Sequence, residues 1–345
     1  MALNATPRPF DAFLLLSFGG PEAPADVLPF LETVLRGRNV PRPRLLEVAG
    51  HYHGFGGRSP LNRDNRRLLT VLAAEFRAHG LALPLYWGNR NWYPWLPATV
   101  RRMQADGVRR GLVLATSAFG SYSGCRQYLE DLDRARAAAG PGAPELVKLR
   151  LFYNHPRFIA AAAGAIRAAL PGAGAAHAHL LFTAHSIPLA MAQASPYERQ
   201  LREAAELVLA ELKNLGVEFA GCSRAWQSRS GPPAQPWLEP ALETEMRRIA
   251  AECPGTHLLV SPLGFLSDHM EVAYDLDVEA KKLAAELGLG WSRAAAIAEQ
   301  PAFATLVREL VEERLDSTRP RLALGPSPAP ADDCAPDCCL LPAGR

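Results

Sequence analysis

Short apolar runs alternate with longer stretches whose apolar positions recur at helical spacing, and this alternation constrains the fold more than any other feature of the chain. A short run that is apolar throughout suits a strand covered on both faces. Parallel strands of that kind need helical crossovers between them, so the pattern reads as an α/β fold. The runs Ala12 to Ser17, Leu83 to Trp87, Arg110 to Ala115 and Leu146 to Leu151 are expected strands of a first half. Ala178 to Thr183, Phe219 to Gln227, His257 to Val260 and a short piece near Trp291 are their counterparts in a second. Helical patterns lie between them at Asn65 to Ala78, Leu96 to Ala105, Arg126 to Ala138, Pro196 to Lys213 and Leu238 to Ala251.

A chain of 345 residues is long enough for two compact units. The Ala/Gly-rich stretch Ala160 to Ala176, closed by Pro171 and Gly172, is expected to be a helix carrying the chain from one half to the other. The expected division is residues 1–160, then residues 161–316 with a returning helix over Ala302 to Leu315, then an extension over residues 317–345. Ser317 to Pro336 is rich in proline, alanine and serine and cannot bury enough surface to fold alone. Lys plus Arg number 37 against 35 Asp plus Glu, which gives no global field for holding nucleic acid. No apolar run approaches the roughly 20 residues that span a bilayer, and the N-terminus lacks the pattern of a secretory signal, so a cytoplasmic protein without a transmembrane segment is expected.

Two strand ends carry chemistry. The run Leu180 to Pro188 stops on His185, and Pro188 keeps Ile187 out of helical geometry. Ligands of open α/β sheets bind beyond such carboxyl edges, and histidine exchanges protons near neutral pH. His185 is therefore either a proton acceptor or a strand-end histidine bonded to a neighbouring loop. After the strand at His257 comes Ser261 to Glu271, leading into a helical pattern through Lys282. Within it Glu271, Asp275 and Glu279 recur at spacings of four and project from one face. Their mutual repulsion is relieved either by a hard divalent ion, which carboxylate oxygens suit, or by Lys281 and Lys282 on an ordinary solvated face.

The segments AHSIP at 184–188 and PLGFLSDHMEVAYDLDVEA at 262–280 resemble the paired signatures of the ferrochelatase family. Leu16 to Pro21 resembles that family's first-strand turn, Gly56 to Leu61 its substrate-side loop, and Trp226 to Ser228 with Pro236 to Leu238 its second-domain motif. The resemblance implies two Rossmann-like, chelatase-type domains with four-stranded parallel sheets and a porphyrin cleft between them. It implies a lyase that inserts Fe²⁺, its substrate, into a porphyrin, with His185 as base and metal contact, Glu271 relaying protons or holding the metal, and Asp275 and Glu279 lining the route. It further implies porphyrin contacts at Phe18, Arg36 of the Arg36-Gly37-Arg38 run, Tyr52, Ser59 and Tyr128. Part of the family has tyrosine where Phe18 stands; phenylalanine cannot ligate iron, so no axial ligand is expected there.

Cys125, with Cys334, Cys338 and Cys339 in the tail, resembles the ligand set of a [2Fe–2S] cluster found in some ferrochelatases. A four-thiolate zinc site, or a tail with uncommitted thiols, has the same composition, and Cys222 or Cys253 could replace Cys125. The expected activity is iron insertion into coproporphyrin III, with protoporphyrin IX as the alternative substrate, in a monomeric enzyme. A porphyrin carrier without chemistry and a chelatase for another metal or tetrapyrrole are the competing classes.

Overall fold

The computed structural model describes residues 9–37, 40–232 and 234–341. Its contacts divide the chain into two units, each wound around a parallel sheet. The first holds β1 (Ala12–Ser17), β2 (Leu85–Asn89), β3 (Arg110–Ala115) and β4 (Glu145–Lys148) in the order β2-β1-β3-β4. Every residue of β1 is buried, as befits a central strand between helical layers. Its register places Leu14 between Tyr86 and Val113. On one face Leu14 and Leu16 pack with Val100 and Met103 of the helix Leu96–Ala105 and with Leu132 of the helix Gln127–Ala139.

The second unit repeats this winding with β5 (Ala178–His185), β6 (Gly221–Gln227), β7 (His257–Ser261) and β8 (Gly290–Arg293) in the order β6-β5-β7-β8. Its core joins Leu181, Leu258 and Val260 of the sheet to Met246, Val272 and Leu276. In both units the second strand lies on one side of the first and the third on the other, so the connections diverge between first and third strands. That divergence opens a crevice at the carboxyl ends, where doubly wound sheets bind ligands.

The expected elements form with adjusted ends. The helix expected over Ala160 to Ala176 runs Pro156–Ala168 instead. Pro156 occupies its first turn, where a missing N–H costs nothing, and the His155 side chain accepts the Arg157 N–H at 3.2 Å. Pro171 has no N–H and disfavours helical geometry at Leu170, so the later alanines fall outside.

The returning helix, Pro301–Leu315, which chain order assigns to the second half, belongs from Ala304 onward to the first unit. Its partners decide this. Arg308 donates to Glu75 at 2.8 Å, and Glu313 accepts a two-pronged bond from the wholly buried Arg150 at 2.7 and 2.8 Å. From Leu322 the tail returns to the second unit. Leu324 N–H bonds the Asn154 carbonyl at 2.8 Å, and the Ser327 hydroxyl and N–H bond the buried Glu203 carboxylate at 2.7 and 3.1 Å. Protein groups thus supply the order that its composition alone cannot.

Candidate active site

His185 closes β5, and its backbone is pinned on several sides. Ser186 N–H bonds the Gln227 carbonyl at 2.8 Å, extending the pairing with β6, and the Tyr197 hydroxyl donates to the His185 carbonyl at 3.1 Å. The Ser186 hydroxyl donates to the Leu238 carbonyl at 3.0 Å. The imidazole itself is about one-third exposed. Its Nδ1 meets the Ser186 carbonyl, a pure acceptor, so Nδ1 carries the proton and Nε2 is left to face outward. Nε2 lies 3.5 Å from the Glu271 carboxylate. Burial pulls the imidazole pKa down, but Glu271, the Ser186 carbonyl and Asp275 together outweigh it and hold the pKa above the ordinary value.

Glu271 reaches this place through the loop after β7. Gly264 N–H bonds the Thr183 carbonyl at 3.0 Å, one strand residue short of Ala184. A Cβ on Gly264 would sit 2.4 Å from the Ala184 Cβ, so only glycine lets the loop lie this close to the strand. The helix Met270–Tyr274 then presents Glu271 in its first turn, more than half exposed. The continuous α-helix expected through Lys282 is interrupted by a wider π-turn over Asp275–Ala280 before the α-helix Lys281–Glu286 resumes. A four-residue step overshoots one α-turn by about 40°, whereas in a π-turn it falls short. Combining them keeps Val272, Leu276 and Ala280 buried in the core while Glu271, Asp275 and Glu279 stay in a row beside it, about a quarter-turn away.

Asp275 is the inner member of that row. Burial, with the charges of Glu271 and Glu279, raises its carboxyl pKa to about 6, although Ser228 and Gln227 hydrogen-bond the charged form. The Ser228 hydroxyl donates to Oδ2, and Gln227 Nε2 donates at 3.3 Å. Ser228 adopts φ 61°, a conformation unusual for serine, at the turn that aims its hydroxyl at the acid. Glu279 is exposed at the far end, and Lys282 pairs with Glu286 rather than with the row. Sequence reasoning assigned no role to Gln227, Ser228 or His269. His269 packs its ring against Phe265 at 5.2 Å and is held below the ordinary imidazole value by burial, with the charges of Glu271 and His185 acting on it in opposite senses. The signal for Gln227 and Ser228 was available, since Gln227 ends β6 as His185 ends β5 and Ser228 follows it.

The remaining expected contacts belong to the first unit. Phe18 follows β1 and is exposed; Arg90 lies 5.8 Å from its ring and 4.7 Å from that of Tyr128, while pairing with Asp131 at 2.8 Å. Phe30 joins Phe18, Tyr52 and Trp92 in one aromatic cluster, with ring centroids about 6 Å apart. Tyr52, Ser59 and Tyr128 are buried, whereas Arg36 is exposed; Arg38 lies outside the described residues. Ser59 is seated by its N–H bond to the Pro21 carbonyl at 2.9 Å and by Gly20, whose missing Cβ makes room for it.

Among the tail thiols, Cys339 is buried, Cys338 half-buried and Cys334 exposed, and Cys125 is buried within the π-turn Tyr122–Arg126. Neighbouring side chains ordinarily diverge, but Cys339 takes φ 55° and the sulfurs of Cys338 and Cys339 lie 3.6 Å apart. Among the described residues no group of three or more His, Cys, Asp or Glu side chains is arranged to hold a metal. Nearer the body, the tail is fastened by Glu203 and Asn154. No described helix is long and apolar enough to cross a membrane.

A solved structure of SirB from Bacillus subtilis with Fe³⁺ is similar in fold, with a TM-score of 0.52 and 12% identity over 88% of this chain and 97% of that one. Among curated proteins, a ferrochelatase of Rhodopirellula baltica is 48% identical over 334 residues, which is 96% of this chain and 94% of the relative. A coproporphyrin III ferrochelatase of Mycolicibacterium smegmatis is 51% identical over 329 residues, 93% of this chain and 95% of the relative. One of Frankia alni is 51% identical over 345 residues, 96% and 87% of the two chains. The ferrochelatase family model matches residues 10–315, the stretch that holds both sheets, the histidine–carboxylate pair and the acidic row. The chain is a member of the ferrochelatase family.

Proposed function

We propose that the protein inserts Fe²⁺ into coproporphyrin III to give Fe-coproporphyrin in haem biosynthesis, with His185 as the base. The observation that carries this reading is the pairing of the His185 Nε2 with the Glu271 carboxylate at 3.5 Å, at the end of the strand beside the divergence of the sheet. Metal insertion replaces two pyrrole N–H protons by one Fe²⁺, so two protons must leave as the ion enters. With Nδ1 protonated and bonded to Ser186, the Nε2 lone pair of His185 takes the two pyrrole protons one after the other, giving up the first to Glu271 or solvent before the second. Glu271 accepts a proton onward or holds the incoming ion, and its charge stabilises the imidazolium that forms. Asp275 and Glu279 continue the carboxylate row and supply oxygen ligands suited to Fe²⁺ in transit. A row that passes an ion along needs no closed cage of ligands. Phe18 and Arg36 are the exposed members of the porphyrin-side set, and Tyr52, Ser59 and Tyr128 the buried ones; arginine suits the propionates, four in coproporphyrin.

The naming of 51%-identical relatives as coproporphyrin III ferrochelatases supports this porphyrin over protoporphyrin IX. The test is anaerobic Fe²⁺ insertion with both porphyrins by wild type and His185→Ala. Faster insertion into coproporphyrin III, lost in the variant, is expected; preference for protoporphyrin IX would replace the substrate, and tight binding with background insertion by both proteins would make the protein a carrier. We take the enzyme to be a cytoplasmic monomer, with sedimentation velocity as the check on its state.

We also propose that Cys125, Cys334, Cys338 and Cys339 hold a [2Fe–2S] cluster. The 3.6 Å separation of the Cys338 and Cys339 sulfurs supports it, because two thiolates on one tetrahedral metal with arms of about 2.3 Å lie about 3.8 Å apart. Such a cluster supplies a covalent link between tail and body; no step of iron insertion runs through it. Visible absorbance of the purified, porphyrin-free protein, absent in Cys339→Ser, is expected. A colourless protein containing zinc would assign the thiols to zinc instead.

A further inference from the structure

Five carboxylates crowd the twelve residues from Asp268 to Glu279, and the segment that carries them changes from α to π winding midway. Like charges at this density push a helix apart. A guanidinium from outside the segment answers two of them. Arg293, the last residue of β8, donates Nη1 and Nη2 to the two oxygens of Asp268 at 3.0 and 2.9 Å, and Nε and Nη2 to those of Asp277 at 2.7 and 3.0 Å. Its guanidinium is mostly buried, at 16% exposure, and both carboxylates are engaged by two prongs. Asp268 lies three residues before Glu271, and Asp277 two after Asp275. A rigid fork therefore grips the acidic segment on both sides of the residues that face His185.

We propose that Arg293 is the positioning residue of the iron route: it fixes the placement of Glu271 and Asp275 by tying Asp268 and Asp277 to the end of β8. The physical case rests on geometry. Asp268 belongs to the loop that enters the helix, while Asp277 lies inside the π-turn, so no hydrogen bond of one regular helix links them. Arginine can bridge the two because its planar donors match two carboxylates at once; lysine, a single point charge, cannot hold both in fixed orientation. The arrangement also offsets part of the negative charge without placing a cation in the row of Glu271, Asp275 and Glu279, which stays open to a divalent ion.

This inference rests on the reading of the row as an Fe²⁺ path, and its test separates the two. Arg293→Gln, Arg293→Lys and Asp277→Asn are compared with wild type by hydrogen exchange over residues 270–280 and by insertion kinetics, with a thermal melt to verify folding. Arg293→Gln is expected to speed exchange of these amides by about tenfold or more and to lower kcat/KM for Fe²⁺ by about 10- to 100-fold, with KM for the porphyrin within about twofold of wild type. Arg293→Lys should recover part of the loss, and Asp277→Asn, which weakens one arm only, should fall between. Unchanged exchange in folded Arg293→Gln overturns the clamp. Faster exchange with an unchanged kcat/KM for Fe²⁺ overturns its role in the iron route. Absence of insertion by wild type would instead overturn the assigned activity, while exchange still decides whether Arg293 holds the segment.

Discussion

Gly264→Ala asks whether the loop after β7 positions His185 by direct contact. An alanine Cβ at this position would lie 2.4 Å from the Ala184 Cβ and 2.7 Å from its Cα. Unbonded carbons settle at about 3.5–4.0 Å, so loop and strand must separate by about 1 Å. Gly264 does not lie in the left-handed region, and the added cost is therefore one of contact rather than of backbone strain. Overpacking of this kind destabilises by about 1–3 kcal/mol, which lowers the melting temperature by about 2–4 °C per kcal/mol in a unit of this size. The 3.0 Å bond from Gly264 N–H to the Thr183 carbonyl transmits the shift to the strand end that carries His185. A displacement of about 1 Å at a catalytic group costs up to about 10²-fold in rate. Steady-state insertion kinetics and a thermal melt measure both effects. Gly50→Ala is the control: Gly50 lies in the helix Arg42–Gly54 with nothing within 4 Å of a new Cβ, and alanine should add about 1 kcal/mol of stability without altering kinetics. Wild-type kinetics and an unchanged melt for Gly264→Ala would refute the contact argument.

Glu313→Ala takes a two-pronged carboxylate from the buried Arg150 and should cost up to about 3–5 kcal/mol in urea unfolding, whereas the apolar pair Arg150→Met with Glu313→Leu should recover most of it. Because the Asp275 pKa is raised to about 6, its charge is lost as pH falls through that value; kcat/KM for Fe²⁺ should rise with pH across this range, and Asp275→Asn should remove that part of the rise and leave the part set by deprotonation of His185. His179 and His257 are both held below the ordinary imidazole value by burial, with Nε2 bonded to Ser223 and Ser292 at 2.8 and 2.9 Å. Their neutral forms are favoured in the folded state, so the stability they contribute is complete above about pH 6.5 and is lost as pH falls from there through the depressed folded values. Urea midpoints against pH should show this loss, and the double variant His179→Gln with His257→Gln should reduce it.

The inner strands β1, β3, β5 and β7 were legible because a buried parallel strand has to be apolar on both faces and its helix on one, and those periods are written locally. The same holds for the residue types and spacing that single out His185 at one strand end and the acidic row after another. What the sequence could not carry was anything set by partners distant in the chain. The returning helix went to the first unit because Glu75 and Arg150 await it there, more than a hundred residues upstream. The π-turn at Asp275 appeared because one segment had to satisfy a core row and an acidic row at once. Arg293 is one arginine among many in the sequence, and only the neighbouring of β7 and β8 brings it to Asp268 and Asp277. Local periodicity determined which segments form strands and helices and which strand ends bear reactive groups. Tertiary structure decided which of those groups meet, because hydrogen bonds and ion pairs depend on distance in space and not along the chain.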